Sequence, residues 1–214
     1  MERPEPIFYA NLDDDLHCLQ AALKMTLDTV GKPISWGEAD AAVDFVPGLY
    51  SWSISAAAAI AERVQGTKFF SALDYREFAE RGEGYLASVW RPEWYRLQKS
   101  KSTPGFSREL AAARKFINSG VLEVTQIGSQ DLESLLGCNL VICLINLART
   151  TGQRGEIAHF VLLYDAPGGQ FRYHDPGLPP IKGASLEKAL FMQAFEGSEA
   201  IAVPDLRPNL GAAR

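Results

Sequence analysis

Cysteine is scarce in this chain, and histidine is as scarce. Among 214 residues there are three of each: Cys18, Cys138 and Cys143, and His17, His159 and His174. No two cysteines form a CxxC pair, so neither a disulfide framework nor a structural zinc is expected. Free thiols and a cytoplasmic location follow as the simplest expectation. Long apolar runs are also missing. None reaches the roughly 18 residues that a membrane span needs, and SISAAAAIA is too short and too small in side-chain volume. The opening MERPEPIFYANLDDD has no apolar core and does not read as a secretory signal. Positive charge is not in excess either. A net charge of −5 gives no support to general nucleic-acid binding, which needs a basic face. Arg91, Arg96, Lys99 and Lys101 fall close together, but a solvated helix face accounts for them.

What is present suits one soluble globular domain spanning 1–214: 47% hydrophobic and 22% charged residues. The first half reads as helices. Leu16, Leu19, Leu23, Leu27 and Val30 recur at helical spacing over 16–30, after the acidic triplet Asp13-Asp14-Asp15. Ser35 and Glu38 fit a capping box opening a helix over about 36–43. SISAAAAIAERV predicts a third helix over 53–64, DYREFAERGEGYL a short one stopping at Gly82, and FSRELAAARKFINSG another ending at Gly120. Between these last two, VWRPEWYRLQKSKSTPGF is aromatic, basic and bounded by Pro92 and Pro104. It marks a candidate insertion or lid over about 85–106. Trp90, Trp94 and Tyr95 there either line a cleft or simply pack.

The second half reads as strands: 122–127, 140–147, 159–166, 169–175 and 199–204. Gly168-Gly169 joins two of them as a tight hairpin. Helices are expected over 129–137, with Ser129 as N-cap, and over 185–195. Helices first and a mainly antiparallel sheet second make the fold class α+β.

Three residues then form a chemical pattern. His159 opens a strongly apolar strand, where an imidazole costs desolvation unless it has a partner. A hairpin turning near Gly168 would bring Asp175 beside it, so that the carboxylate holds one ring nitrogen and leaves the other as a base. Cys18 lies where a helix begins. A helix N-terminus and a nearby imidazolium both stabilise a thiolate. His174, next to Asp175, should face away and be structural. His17 reads as lying where the chain enters the first helix or as facing solvent. Cys138 and Cys143 read as core residues. Asp13, Asp14 and Asp15 read as helix N-terminal charges rather than metal ligands, and no cofactor is called for.

The segments Asp14-Asp15-Leu16-His17-Cys18-Leu19-Gln20-Ala21-Ala22-Leu23-Lys24-Met25 and His159-Phe-Val-Leu-Leu-Tyr-Asp165, with Tyr173-His174-Asp175-Pro176-Gly177, resemble the motifs of C39-type and C39-like cysteine peptidases. That resemblance implies a papain-like fold, with Cys18 as nucleophile, His159 as general base and acid, and Asp175 as its orienter. It implies a peptide or other acyl or amide substrate. Family members have Gly after the cysteine, where this chain has Leu19, and Gly before Tyr-Asp, where it has Leu163. The family's oxyanion Gln is replaced by Leu12; Asn11, one residue upstream, is the oxyanion candidate beside the Cys18 N–H. Gln20 lies on the other side of Cys18. These departures leave two alternatives on the same site, an acyltransferase or amide-forming enzyme and a catalytically weak peptide-binding module. Nothing in the sequence specifies an oligomeric state.

Overall fold

LVICLIN and HFVLLY are apolar at nearly every position, and a strand of that kind needs cover on both faces. A computed structural model, describing residues 4–195 and 199–207, supplies it. In chain order the helices and strands are α1 (Cys18–Thr29), α2 (Trp36–Ala42), α3 (Ser53–Ala61), β1 (Lys68–Ser71), α4 (Tyr75–Arg81), α5 (Glu83–Val89), α6 (Pro92–Ser100), α7 (Ser107–Phe116), β2 (Leu122–Val124), α8 (Ser129–Leu136), β3 (Asn139–Asn146), α9 (Leu147–Thr151), β4 (Ala158–Asp165), β5 (Gln170–Asp175), β6 (Ile181–Glu187), α10 (Lys188–Phe195) and β7 (Glu199–Pro204).

One seven-stranded sheet runs in the order β2-β1-β7-β3-β4-β5-β6. Every pairing is antiparallel except β1 with β2. Side chains alternate across the sheet. Leu140, Ile142, Leu144, Phe160 and Leu162 enter the larger core with α1 and α3. Val141, Cys143, Ile145, Val161 and Leu163 enter a second core with α8 and α10. The α+β class expected from the sequence is the one adopted, and the sheet is mainly antiparallel. The helical first half covers one face, and α8 and α10 cover the other.

Several local expectations need correction. The strand KFFS of β1 was not anticipated, nor was β6; β6 pairs with β5 through Phe171↔Leu186 and Tyr173↔Ala184. The helix expected over 185–195 therefore begins only at Lys188. Gly128, not Ser129, caps α8: its backbone N–H donates to Asp131 Oδ2 at 2.8 Å, and Ser129 is the first helical residue. The strand expected over 122–127 is short, ending at Val124. Segment 85–106 is mostly helical, and Trp90 packs with Trp52 and Phe106 at ring separations of 5.7 and 6.4 Å. The nearby cations are largely matched by acids: Arg91 with Glu156, Arg96 with Glu93, Lys99 with Glu83. Cys143 is buried, but Cys138 is exposed, in the turn between α8 and β3. No helix among the described residues is long and apolar enough to cross a membrane.

Candidate active site

The chain reaches Cys18 through a turn built from its own side chains. Asp15 takes a positive φ of 56°, and its N–H donates to the Leu12 carbonyl at 3.0 Å. The Leu16 N–H donates to Asp14 Oδ1 at 3.0 Å, and the His17 N–H to Asn11 Oδ1 at 2.8 Å. His17 is then the N-cap and Cys18 the first helical residue. The first N–H groups of a helix have no intrahelical acceptor, so Cys18 stands where backbone donors and the positive end of the dipole meet.

The other half of the site comes from the hairpin. Gly168 and Gly169 both take positive φ, 55° and 85°, as a tight hairpin turn requires. With β4 and β5 paired, His159 Nε2 and Asp175 Oδ1 lie 2.6 Å apart. The same carboxylate oxygen accepts the Gly177 N–H at 2.8 Å. His159 and Asp175 are 5% and 8% exposed, so this pair is largely withdrawn from water. The two halves are joined directly, since the Asn11 N–H donates to the Pro176 carbonyl at 2.7 Å.

His159 and the half-buried Cys18 border the same cleft, and the sulfur favours the charged ring. Burial opposes charging the ring. Hydrogen bonds and charge from Asp175 and Cys18 outweigh it and push the imidazole from 6.5 up to about 10. An imidazolium paired with a carboxylate and facing the same cleft as a thiol can stabilise a thiolate and later release a proton.

A scan of protein-family models finds no match, and a search of curated proteins finds none. Among solved structures the chain is similar to the peptidase domain of Streptococcus ComA, a bifunctional ABC transporter involved in a quorum-sensing pathway. The identity is 10%, with 92% of this chain and 97% of that chain covered, at a TM-score of 0.49.

Cys18 and His159 open onto a cleft of about 600 Å³, whose walls include Tyr50, Trp52, Trp90 and Trp94. Tyr95 lies outside that wall and packs beside Phe106, its hydroxyl donating to Glu83. Asn11, the sequence candidate for the oxyanion, has another task. Its Nδ2 donates to Asp15 Oδ1 at 3.0 Å, its Oδ1 accepts from His17, and it does not border the cleft. Gln20 is fully buried and donates to Asp40 Oδ1 at 3.2 Å. His17 does not face solvent. It is 4% exposed, with Nδ1 2.8 Å from Asp14, Nε2 3.2 Å from Asp40, and the Phe45 ring 4.2 Å away. Asp14 therefore organises the turn as well as lending charge to it. His174 is structural. Its Nδ1 accepts the Gly183 N–H at 3.1 Å, which makes Nε2 the donor to the Pro6 carbonyl at 3.0 Å. Among the described residues no group of three His, Cys, Asp or Glu side chains is arranged to hold a metal ion.

Glu199 escaped the sequence reading. It opens the strand EAIAVP, borders the same cleft, and is surrounded by hydroxyls from three other elements. The only signal for it was a charged residue at the head of an apolar strand.

Proposed function

We propose that this chain is a papain-like thiol enzyme that attacks an amide or related acyl bond, with Cys18 as nucleophile, His159 as proton carrier and Asp175 as its orienter. The observation that carries this reading is the 2.6 Å contact between His159 Nε2 and Asp175. It leaves Nδ1 as the ring nitrogen to serve the sulfur.

In the first step the Cys18 thiolate forms a bond to the carbonyl carbon, and the carbonyl π electrons move to oxygen. The oxyanion is met by the Cys18 backbone N–H at the start of α1. His159 then gives its proton to the departing amine as the carbon–nitrogen bond breaks, leaving an acyl thioester. Water or an amine adds to the thioester and passes its proton back to His159. The thiolate leaves as the acid or the new amide is released. Asp175 orients the ring and stabilises the imidazolium.

Alkylation with iodoacetamide, read cysteine by cysteine by mass spectrometry across pH, tests the reading. Cys18 should react faster at neutral pH than the exposed Cys138 and than free glutathione. Cys143, whose burial pushes its thiol far up, should react only on unfolding. If half-buried Cys18 reacts more slowly than Cys138 and follows the same pH dependence, the nucleophile assignment fails. Product analysis with added amines then separates hydrolysis from acyl transfer.

A further inference from the structure

Glu199 introduces a carboxyl group into the cleft, and among the described residues no cation matches it. Tyr75 Oη donates to its Oε1 at 2.6 Å, Ser71 Oγ lies 3.4 Å from the same oxygen, and Ser53 Oγ donates to Oε2. Among the described residues no Lys, Arg or His forms an ion pair with it. Hydroxyls alone do not neutralise a part-buried carboxylate, and desolvation pushes this carboxyl above its ordinary range.

Two features beside it point to what could complete the set. The same cleft has an aromatic wall: Trp90 and Trp94, both part-exposed, line it beside Tyr50. Faces of tryptophan attract organic cations. Among the described residues, Trp52 Nε1 and Ser51 Oγ, on residues of the same wall, are buried without a partner. Native proteins rarely leave such groups unmatched. The wall therefore holds polar groups without partners beside a carboxyl group without a cation.

Sheet register gives the spacing from the reactive end. Glu199 pairs with Leu144, and Leu144 with Phe160, the neighbour of His159. Two strand steps put about 10 Å between the backbones of Glu199 and Phe160. A long side chain can cross that interval with its stem on apolar wall and its charged head at the far end.

We propose that the Glu199 end of the cleft is a recognition pocket for an alkylammonium or guanidinium group, carried by the substrate whose acyl group is presented to Cys18. The placement of that acyl group rests on the thiol-enzyme reading above; recognition of the cation does not. The aromatic wall takes the stem and the π-facing side of the cation, and the Glu199 carboxylate takes the charge.

Isothermal titration of the whole chain carrying Cys18→Ala tests this without any catalytic readout. The ligands are N-acetyl-arginine methylamide and N-acetyl-lysine methylamide, each beside its neutral citrulline or norleucine counterpart. The cationic member should bind more tightly by about tenfold or more, a difference of about 1.4 kcal/mol. Adding Glu199→Gln should abolish that preference, and the milder Glu199→Asp should reduce it. A separate titration with 1,4-diaminobutane distinguishes sources. Binding weaker than that of the amides supports placement on the acyl donor, and equal or tighter binding overturns that placement. Equal affinity for charged and neutral ligands overturns the proposal even if neither Glu199 variant folds. So does a charge preference that survives Glu199→Gln. Because binding is read in the absence of the thiol, failure of the cysteine labelling test leaves this result standing, and the reverse also holds.

Discussion

Gly177 lies against the ring of His159. A Cβ added at Gly177 would come within 3.3 Å of the ring's Cε1 and Nε2, and within 2.9 Å of Asp175 Oδ1. The last distance is too short for any real Cβ contact, so either the carboxylate or the loop must shift. The residue thus has no side chain because the imidazole–carboxylate pair occupies the space. Gly177→Ala should lower the neutral-pH alkylation rate of Cys18 by about 10- to 100-fold, the order expected when reacting groups are misplaced by about an ångström. The midpoint of thermal unfolding should move little, because the strain falls on a loop at the cleft rather than in either core. Normal Cys18 reactivity in a folded Gly177→Ala variant would mean that the pair does not govern the thiol.

Asp175→Asn keeps the shape and removes the charge. The imidazole is held up near 10 by Asp175 together with Cys18, against burial, so its value should fall. Acyl transfer should drop by about 10²- to 10⁴-fold, as when the orienting carboxylate of a triad is neutralised. The pH dependence has a definite sign. A histidine whose folded value lies above the unfolded 6.5 stabilises the fold fully below pH 6.5, and that contribution is lost as pH rises through about 10. Ring NMR signals of His159 should therefore stay in the imidazolium position through neutral pH. In Asp175→Asn they should titrate at lower pH.

The contrast between β5 and β6 shows which elements were legible in the sequence. Strand β5 has a glycine turn before it and a buried phenylalanine and tyrosine along it, both local signals. Strand β6, IKGASLE, is mostly exposed along its length. It is a strand because it pairs with β5, and its last residues run straight into helix-forming ones. The Ser35–Glu38 capping box was legible for the opposite reason: Ser35 Oγ and Glu38 contact each other three residues apart. The adjacency of His159 and Asp175 was readable because one hairpin makes it. Glu199 was not, since its partners Ser53, Ser71 and Tyr75 come from α3, β1 and α4, more than a hundred residues away.

Asn11 can be separated from an oxyanion donor by experiment. Its Oδ1 accepts the buried His17 N–H at 2.8 Å, and its Nδ2 holds Asp15. Asn11→Ala would leave that N–H unpaired at the helix start, a loss of about 1–3 kcal/mol. Urea unfolding should show it as a lower midpoint with an unchanged slope. Alkylation of Cys18, which needs no oxyanion, should slow as well, because the turn that presents the cysteine loosens. A variant of full stability and normal alkylation, impaired only in acyl transfer, would restore Asn11 to the oxyanion.

His174 should make the fold acid-sensitive, with a sign opposite to that of His159. The Gly183 N–H occupies Nδ1 and Nε2 donates to the Pro6 carbonyl, so both ring nitrogens are satisfied only in the neutral form. Burial adds to this and lowers the ring below 6.5. A histidine with a depressed folded value contributes stability above its unfolded value and loses it as pH falls. Unfolding free energy should therefore decline as pH drops below about 6.5, before the carboxylates titrate. His174→Phe should flatten that part of the profile. It should also cost about 1–3 kcal/mol at neutral pH, because the Gly183 N–H and the Pro6 carbonyl lose their partner. A slope between pH 6.5 and 5 that is identical in the two proteins would assign the acid sensitivity to another group and leave His174 a packing residue.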